Sequence, residues 1–267
     1  MKMNTGMCIG ALGAYVAAIM PNLRSRRIRS DVVYYAHRGL HDNQSDAPEN
    51  SMRAFARACD AGYGIEMDVQ LTKDSQPVVF HDNTLRRVCS ADGQVSDYTY
   101  QELQQFTLYG TDQKIPLLAD VLKLVNGRVP LIIEYKYKDF NNQVCVESDR
   151  LLRDYKGIYC IESFQPWALV WYRRHRPEIV RGQLSMNFQR QEGNYRLECL
   201  AIRHLLTNFL ARPDFIAYDQ RDKKAVSKNI CRRIFGCPSV AWTVKSTRQL
   251  EHCRKYYDYF IFEGFCP

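Results

Sequence analysis

With 267 residues, 46% of them hydrophobic and 25% charged, and with 14 glycines and 10 prolines, the chain has the composition of a folded globular protein and excludes a disordered, fibrous or collagen-like one. Its formal net charge of +8 is concentrated at one end: Lys2, Arg24, Arg26, Arg27 and Arg29 lie in 30 residues that hold no acid, so +8 less +5 leaves +3 for residues 31–267 and no basic face for a nucleic acid. The 10 cysteines are scattered without a C-x-x-C pair, which argues against a zinc module or a disulfide-dense domain and favours a reducing compartment.

The first predicted element is an uncharged run of 15 residues, 6–20, followed by Pro21 and the arginine cluster. A helix of that length rises about 22 Å, short of the ~30 Å hydrocarbon core, so it is a marginal span. Lys2 and the small residues Ala17 and Ala18 suit a cleaved export signal, which the arginines oppose. The positive-inside bias sets those arginines on the cytoplasmic side, against anionic lipid. A plain apolar helix packed on the domain is the remaining reading. Residues 1–30 are therefore read as a membrane anchor or docking helix, with the protein membrane-associated on the cytoplasmic face and export as the alternative.

From residue 31 on, β-branched and aromatic runs alternate with helical patterns, the rhythm of βα units and a parallel sheet. Eight strands are predicted at residues 32–36, 65–70, 131–136, 158–163, 179–184, 215–218, 240–244 and 259–262. Helices are predicted at 51–61, with Asn50 as N-cap and Gly62 at the stop, and at 166–175, with Pro166 in the first turn. The stretch 76–116 is too long for a simple loop and reads as an excursion holding an extra strand, 78–81. Eight βα units over about 240 residues fit a (β/α)8 barrel in one body, 31–267, although an open doubly wound sheet has a similar rhythm. Pro267 follows the eighth strand directly, so the last outer helix is expected to be missing, with the N-terminal apolar run available to cover the gap.

In such a barrel the chemistry sits where strands end, and the first three barrel strands end in titratable residues. Strand periodicity puts Glu66 and Asp68 on one face. Glu134 ends an otherwise apolar buried strand, where a charge needs a partner or a metal. Three oxygen donors suit a hard divalent ion, Mg2+ or Ca2+. His37 and His81, each at the end of an apolar strand, could serve as general base and general acid about a phosphate. Arg38 and Lys136 offer positive charge to phosphate oxygens or compensate the acids. Trp242, at the end of the seventh barrel strand, offers an apolar wall or fills the core beneath a loop. His175 and His252 read as solvated, His204 as helical, and His41 as near the pocket without a task.

These segments together, Ala36-His37-Arg38-Gly39, Ala47-Pro48-Glu49-Asn50-Ser51, Ile65-Glu66-Met67-Asp68-Val69, Thr72-Lys73-Asp74, Val78-Val79-Phe80-His81-Asp82 and Glu134-Tyr135-Lys136, resemble the glycerophosphodiester phosphodiesterase family. The resemblance implies a (β/α)8 barrel with a small insertion after the second strand, and hydrolysis of a small-molecule glycerophosphodiester to glycerol 3-phosphate and an alcohol. It implies Glu66, Asp68 and Glu134 as ligands of one divalent cation, Ca2+ or Mg2+, and His37 and His81 as the acid/base pair. Arg38 and Lys136 would hold phosphate, Trp242 would border the substrate, and Glu49 would fix Arg38 or a histidine from behind. The family's Thr-Asp-x-Pro turn after the last strand is replaced by Phe262-Glu263-Gly264-Phe265-Cys266-Pro267. Two rivals stand beside this reading: a lysophospholipase D-type lipid phosphodiesterase on the same barrel, and a catalytically silent, membrane-tethered binding barrel.

Overall fold

A computed structural model of the protein describes residues 5–23, 31–136 and 141–267, with no side chains described for residues 5–9. Lys2 and the arginines at 24, 26, 27 and 29 lie outside the described residues. Among the described residues nine strands run in chain order: β1 (Tyr34–Ala36), β2 (Gly64–Leu71), β3 (Pro77–Val79), β4 (Leu131–Tyr135), β5 (Tyr159–Ser163), β6 (Arg181–Ser185), β7 (Phe215–Asp219), β8 (Ser239–Val244) and β9 (Tyr259–Phe262). Eight are parallel in the order β1-β9-β8-β7-β6-β5-β4-β2, and pairing of β1 with β2 closes the barrel; β3 adds antiparallel to β2. All eight predicted barrel strands are present, and the closed ring excludes the open sheet.

The alternation along each strand builds two cores. Ile65, Met67, Val69, Ile133 and Ile161 face outward against the surrounding helices. Inside the ring, Tyr35, Ile132, Cys160, Leu184, Phe215, Val240 and Ile261 fill the lower part. Each large side chain so buried contributes roughly 1.5–3 kcal/mol. A Cβ on Gly182 would stand 2.0 Å from the Phe215 ring and one on Gly64 2.5 Å from Tyr35, so glycine at these two positions leaves room for the aromatic plug. Above the plug the same inward face turns acidic: Asp68 pairs in register with Glu134, and Glu134 with Glu162.

The excursion after β2 has a small core of its own, with Val78, Phe80, Leu85, Val88, Val95, Leu103, Leu108 and Ile115 packed together. The helix predicted at 166–175 is present as Pro166–His175 with proline in its first turn. The helix after β1 runs Met52–Asp60, and its N-cap is Ser51, whose hydroxyl accepts from the Ala54 amide. Asn50 is thus not the cap. Ser and Asn are comparable N-caps, and here Asn50 adopts a left-handed backbone (φ 56°) and turns to the interior.

The N-terminal helix, Thr5–Ile19, does not cover the seam beside the last strand, as the sequence suggested it could. It docks by its C-terminal end below β7: the Ile19 carbonyl accepts from Asn208 Nδ2 at 2.8 Å and Cys231 Sγ at 3.3 Å, and Asn22 meets Pro213 and Asp214. Ile19 belongs to the outer core of the barrel, while Leu12 is exposed. The β9–β1 seam is lined by the aromatic contacts Tyr34–Phe260, Tyr63–Phe262 and Phe262–Phe265. Among the described residues, no helix is long and apolar enough to cross a membrane.

Candidate active site

The polypeptide leaves β1 through a tight turn that aims three residues at the mouth of the barrel. The His37 amide donates to the Phe262 carbonyl at 2.9 Å, so the end of β1 is fixed by the end of β9. Arg38 takes a left-handed backbone (φ 55°), a strained choice for a side chain of this size and one that collects at functional sites. Gly39 follows at φ 83°, and a Cβ there would lie 2.9 Å from the Ala54 carbonyl carbon, so only glycine fits.

His37 Nδ1 lies 2.7 Å from Glu263 Oε2, and its Nε2 lies 3.9 Å from Glu66 Oε2. Burial, and then Arg38, push the imidazole down to about 4, against the opposing pull of Glu263. The ring is therefore neutral at neutral pH, and the ionised Glu263 accepts its Nδ1–H. The hydrogen bond from His37 holds Glu263 well below the usual carboxylate range, and Lys245 Nζ at 3.2 Å from Oε1 supports it.

His81, in the loop after β3, repeats the arrangement, with Nδ1 2.7 Å from Asp82 Oδ1. Arg87 grips Asp82 through Nε at 2.7 Å and an amino group at 2.8 Å. The same guanidinium reaches Glu49 at 2.7 and 2.8 Å, and Glu49 also accepts from Arg38 at 2.7 Å, Asn43 at 3.1 Å and Tyr109 at 3.0 Å. Burial alone would raise Glu49, but the arginines hold it down to about 2. Glu49 thus joins the β1 turn to the insertion.

Glu66, Asp68 and Glu134 are all buried, and each offers an oxygen within 4.8 Å of the other two. Lys136 Nζ stands 2.8 Å from Asp68 and 2.6 Å from Glu134, and Asn50 Nδ2 donates to Asp68 at 2.9 Å. Burial, reinforced by the neighbouring acids, raises Glu66 well above the carboxylate range. Glu134 is raised by burial despite Lys136, whereas Asp68, which burial would raise, is held well below its usual range by Lys136, His81 and Arg38. Glu162 adds a fourth inward carboxylate, raised by burial and by Glu134, with Oε2 lacking a hydrogen-bond partner among the described residues.

These groups line one cavity of about 650 Å3, which brings together His37, Arg38, Glu49, Glu66, His81, Glu134, Lys136 and Trp242; Asp68 lies buried beneath it. Trp242 meets Phe164 edge-on with ring centroids 5.5 Å apart, an apolar side to an otherwise charged wall. Lys245 and Arg221 stand at the rim. His175 and His252 are exposed on helices, and His204 caps the helix Leu197–Arg203, outside the cavity. Asn50, Asn43, Arg87, Tyr109, Glu162 and Glu263 reach the site without having been predicted there. Glu162 left a trace, an acid inside the apolar run of β5; Arg87 and Tyr109 left none, because their partner Glu49 lies 38 and 60 residues away.

Comparison with known proteins gives a consistent result. The model of the glycerophosphoryl diester phosphodiesterase family matches residues 37–255. A Bacillus altitudinis protein named glycerophosphodiester phosphodiesterase is 34% identical over 175 residues, 60% of this chain and 69% of that one. Glycerophosphodiester phosphodiesterase 1 of Bos taurus is 25% identical over 269 residues, 85% of this chain and 77% of that one. Among solved structures, an Oleispira antarctica phosphodiesterase in complex with the product sn-glycerol-3-phosphate matches with a TM-score of 0.69 at 23% identity, over 86% of this chain and 92% of that one. A glycerophosphodiester phosphodiesterase from Thermotoga maritima gives 0.67 at 23% identity, over 88% and 95%. At such identities the solved structures speak for the fold, a (β/α)8 barrel.

Proposed function

The chain belongs to the glycerophosphoryl diester phosphodiesterase family and is a phosphoric diester hydrolase, and from that premise we propose that it hydrolyses glycerophosphodiesters to glycerol 3-phosphate and an alcohol, with His37 as general base and His81 as general acid. The observation that carries this assignment is the matched pairing of both imidazoles, through Nδ1, with carboxylates on the wall of one cavity. With Nδ1–H given to Glu263, the free pair of His37 is on Nε2, available to take a proton from the attacking hydroxyl. With Nδ1–H given to Asp82, His81 in its charged form donates from Nε2 to the departing alkoxide.

Arg38 and Lys136 supply positive charge for the non-bridging phosphate oxygens. Among the described residues Arg38 and Lys136 are the arginine and lysine in ion-pair contact with the acidic cluster, and an all-oxygen donor set of this charge fits a hard divalent ion. Glu66, Asp68 and Glu134 would hold that ion, Mg2+ or Ca2+, and when bound it would polarise the phosphate as a Lewis acid. Trp242 and Phe164, with Leu184 and Ile261, give the cavity its apolar wall, while Lys245 and Arg221 at the rim favour a water-soluble diester over an acyl chain.

For residues 1–30 the reading is membrane contact, with the barrel on the cytoplasmic face. Its support is the uncharged helix Thr5–Ile19, the exposed Leu12 and the arginines that follow in the sequence.

Release of glycerol 3-phosphate from a panel of glycerophosphodiesters, with the full chain and with Mg2+, Ca2+ or EDTA, tests the assignment. Activity that disappears in EDTA and returns with the ion is the expected result. A folded, ion-replete chain that cleaves none of the panel overturns it.

A further inference from the structure

We infer that His37, His41 and Glu263 form a second cation site, chemically unlike the acidic triad, which takes a transition-metal ion of the Zn2+ class and silences the enzyme by capturing His37. The inference deepens the hydrolase reading and rests on it only for its inhibitory consequence. One donor atom from each of the three residues lies within 4.8 Å of the other two. His37 Nδ1 and Glu263 Oε2 are already 2.7 Å apart, so a small spreading of that contact admits an ion with bonds of about 2.0–2.2 Å.

His41 supplies an independent observation. Both of its ring nitrogens are shielded from solvent, and neither has a hydrogen-bond partner among the described residues. Buried polar groups in folded proteins are nearly always paired, and an imidazole with two idle nitrogens beside another imidazole and a carboxylate is poised for a ligand. Its backbone is fixed, since the His41 amide donates to Gly39 and Asp42 bridges to Ala47. A separate crevice of about 420 Å3, lined by residues 39–43 and 262–266, gives access to this cluster.

The donor set decides the ion. Two imidazole nitrogens with one carboxylate suit Zn2+, Co2+ or Ni2+, whereas the three carboxylates of the triad suit Mg2+ or Ca2+. On binding, the one ring proton of neutral His37 passes from Nδ1 to Nε2 by exchange with solvent, with no net release, and the metal takes the Nδ1 lone pair so exposed. His37 then has no nitrogen free to accept a proton. Lys245, exposed and 3.2 Å from Glu263, is the counter-cation that the incoming ion displaces into solvent.

The full chain, saturated with Mg2+, is titrated with Co2+ and followed by visible absorption, then with Zn2+ and followed by turnover. The expected result is an intense four-coordinate Co2+ band that Zn2+ abolishes, together with inhibition by Zn2+. In His41→Asn the band is lost and the Zn2+ concentration for half-inhibition rises at least about tenfold, with turnover in the absence of Zn2+ near that of the wild type. His41→Gln serves in its place if thermal melting shows that His41→Asn is misfolded. Equal Zn2+ sensitivity in wild type and variant would assign inhibition to the acidic triad and overturn the inference, as would the absence of an intense Co2+ band. The spectrum needs no turnover, so failure of the hydrolase reading and failure of this site are separate outcomes.

Discussion

His37 and His81 each place Nδ1 2.7 Å from a carboxylate oxygen, but Glu263 is 226 residues from His37, whereas Asp82 is the residue that follows His81. The His37 arm exists only when the barrel closes, because β9 must pair with β1 before Glu263 can reach the turn. The His81 arm belongs to an excursion with its own core and is tied to the barrel through Arg87 and Glu49. Their surroundings differ accordingly: the His37 side chain is 16% exposed and that of His81 33%. His37 is thus the more enclosed imidazole of the two, and His81 the one more open to solvent. Similar hydrogen bonds can thus be delivered by global topology or by local sequence, and the two arms are expected to fail differently.

The most drastic way to break the comparison is to remove either imidazole. His37→Ala and His81→Ala are each expected to lower kcat by about 10²–10⁴-fold in the glycerol 3-phosphate assay, with melting temperatures close to that of the wild type. The comparison sharpens when the insertion core is cut instead. Leu85→Ala is expected to cost about 2–5 kcal/mol, read by denaturant unfolding, and hydrogen exchange should rise in residues 77–116 before it rises in the barrel strands.

The positioning carboxylates come next. Glu263→Gln and Asp82→Asn should each lower kcat/KM by about 10–100-fold, since a hydrogen bond to a charged group is worth about 1.5–3 kcal/mol. Their pH profiles should then diverge. Glu263 opposes the burial that pushes His37 down to about 4, so Glu263→Gln should move the acid limb of kcat/KM to lower pH, which a merely structural loss would not do.

The smallest effect is on stability. Glu49 is held at about 2 in the folded protein against an ordinary value of 4.5, so its contribution is complete above about 4.5 and is lost as the pH falls towards 2. Glu49→Gln should flatten the acid side of the Tm profile in that window and leave neutral-pH behaviour governed by its lost contacts.

The barrel was legible because most of its strands carry an apolar run of the right length between turn signals, β6 (Arg-Gly-Gln-Leu-Ser) being the exception. The acidic cluster was legible where acids interrupt such runs, as at Glu66, Asp68 and Glu134. Asn50 was misassigned because Asn and Ser cap helices almost equally well, and only the register of the following helix chose Ser51. Glu263 was visible as a departure from a familiar turn, but its contact with His37 depends on strand pairing across the whole chain. Arg87 and Tyr109 could not be read, since nothing local distinguishes them from solvated surface residues. The docking place of the N-terminal helix escaped for a similar reason: the acceptor that fixes it is the backbone carbonyl of Ile19, and its donors are Asn208 and Cys231.

That latch gives the molecule two poles. Asn22 is bound beside Asp214 at the foot of β7, whereas Asp219 at its head borders the cavity, and five residues of strand separate them by about 17 Å. The end of the N-terminal helix that this latch holds, Ile19 to Asn22, is therefore pinned about one strand length from the cavity, so a pull on the chain at that point acts on the foot of the barrel and leaves the residues at the strand ends where they are.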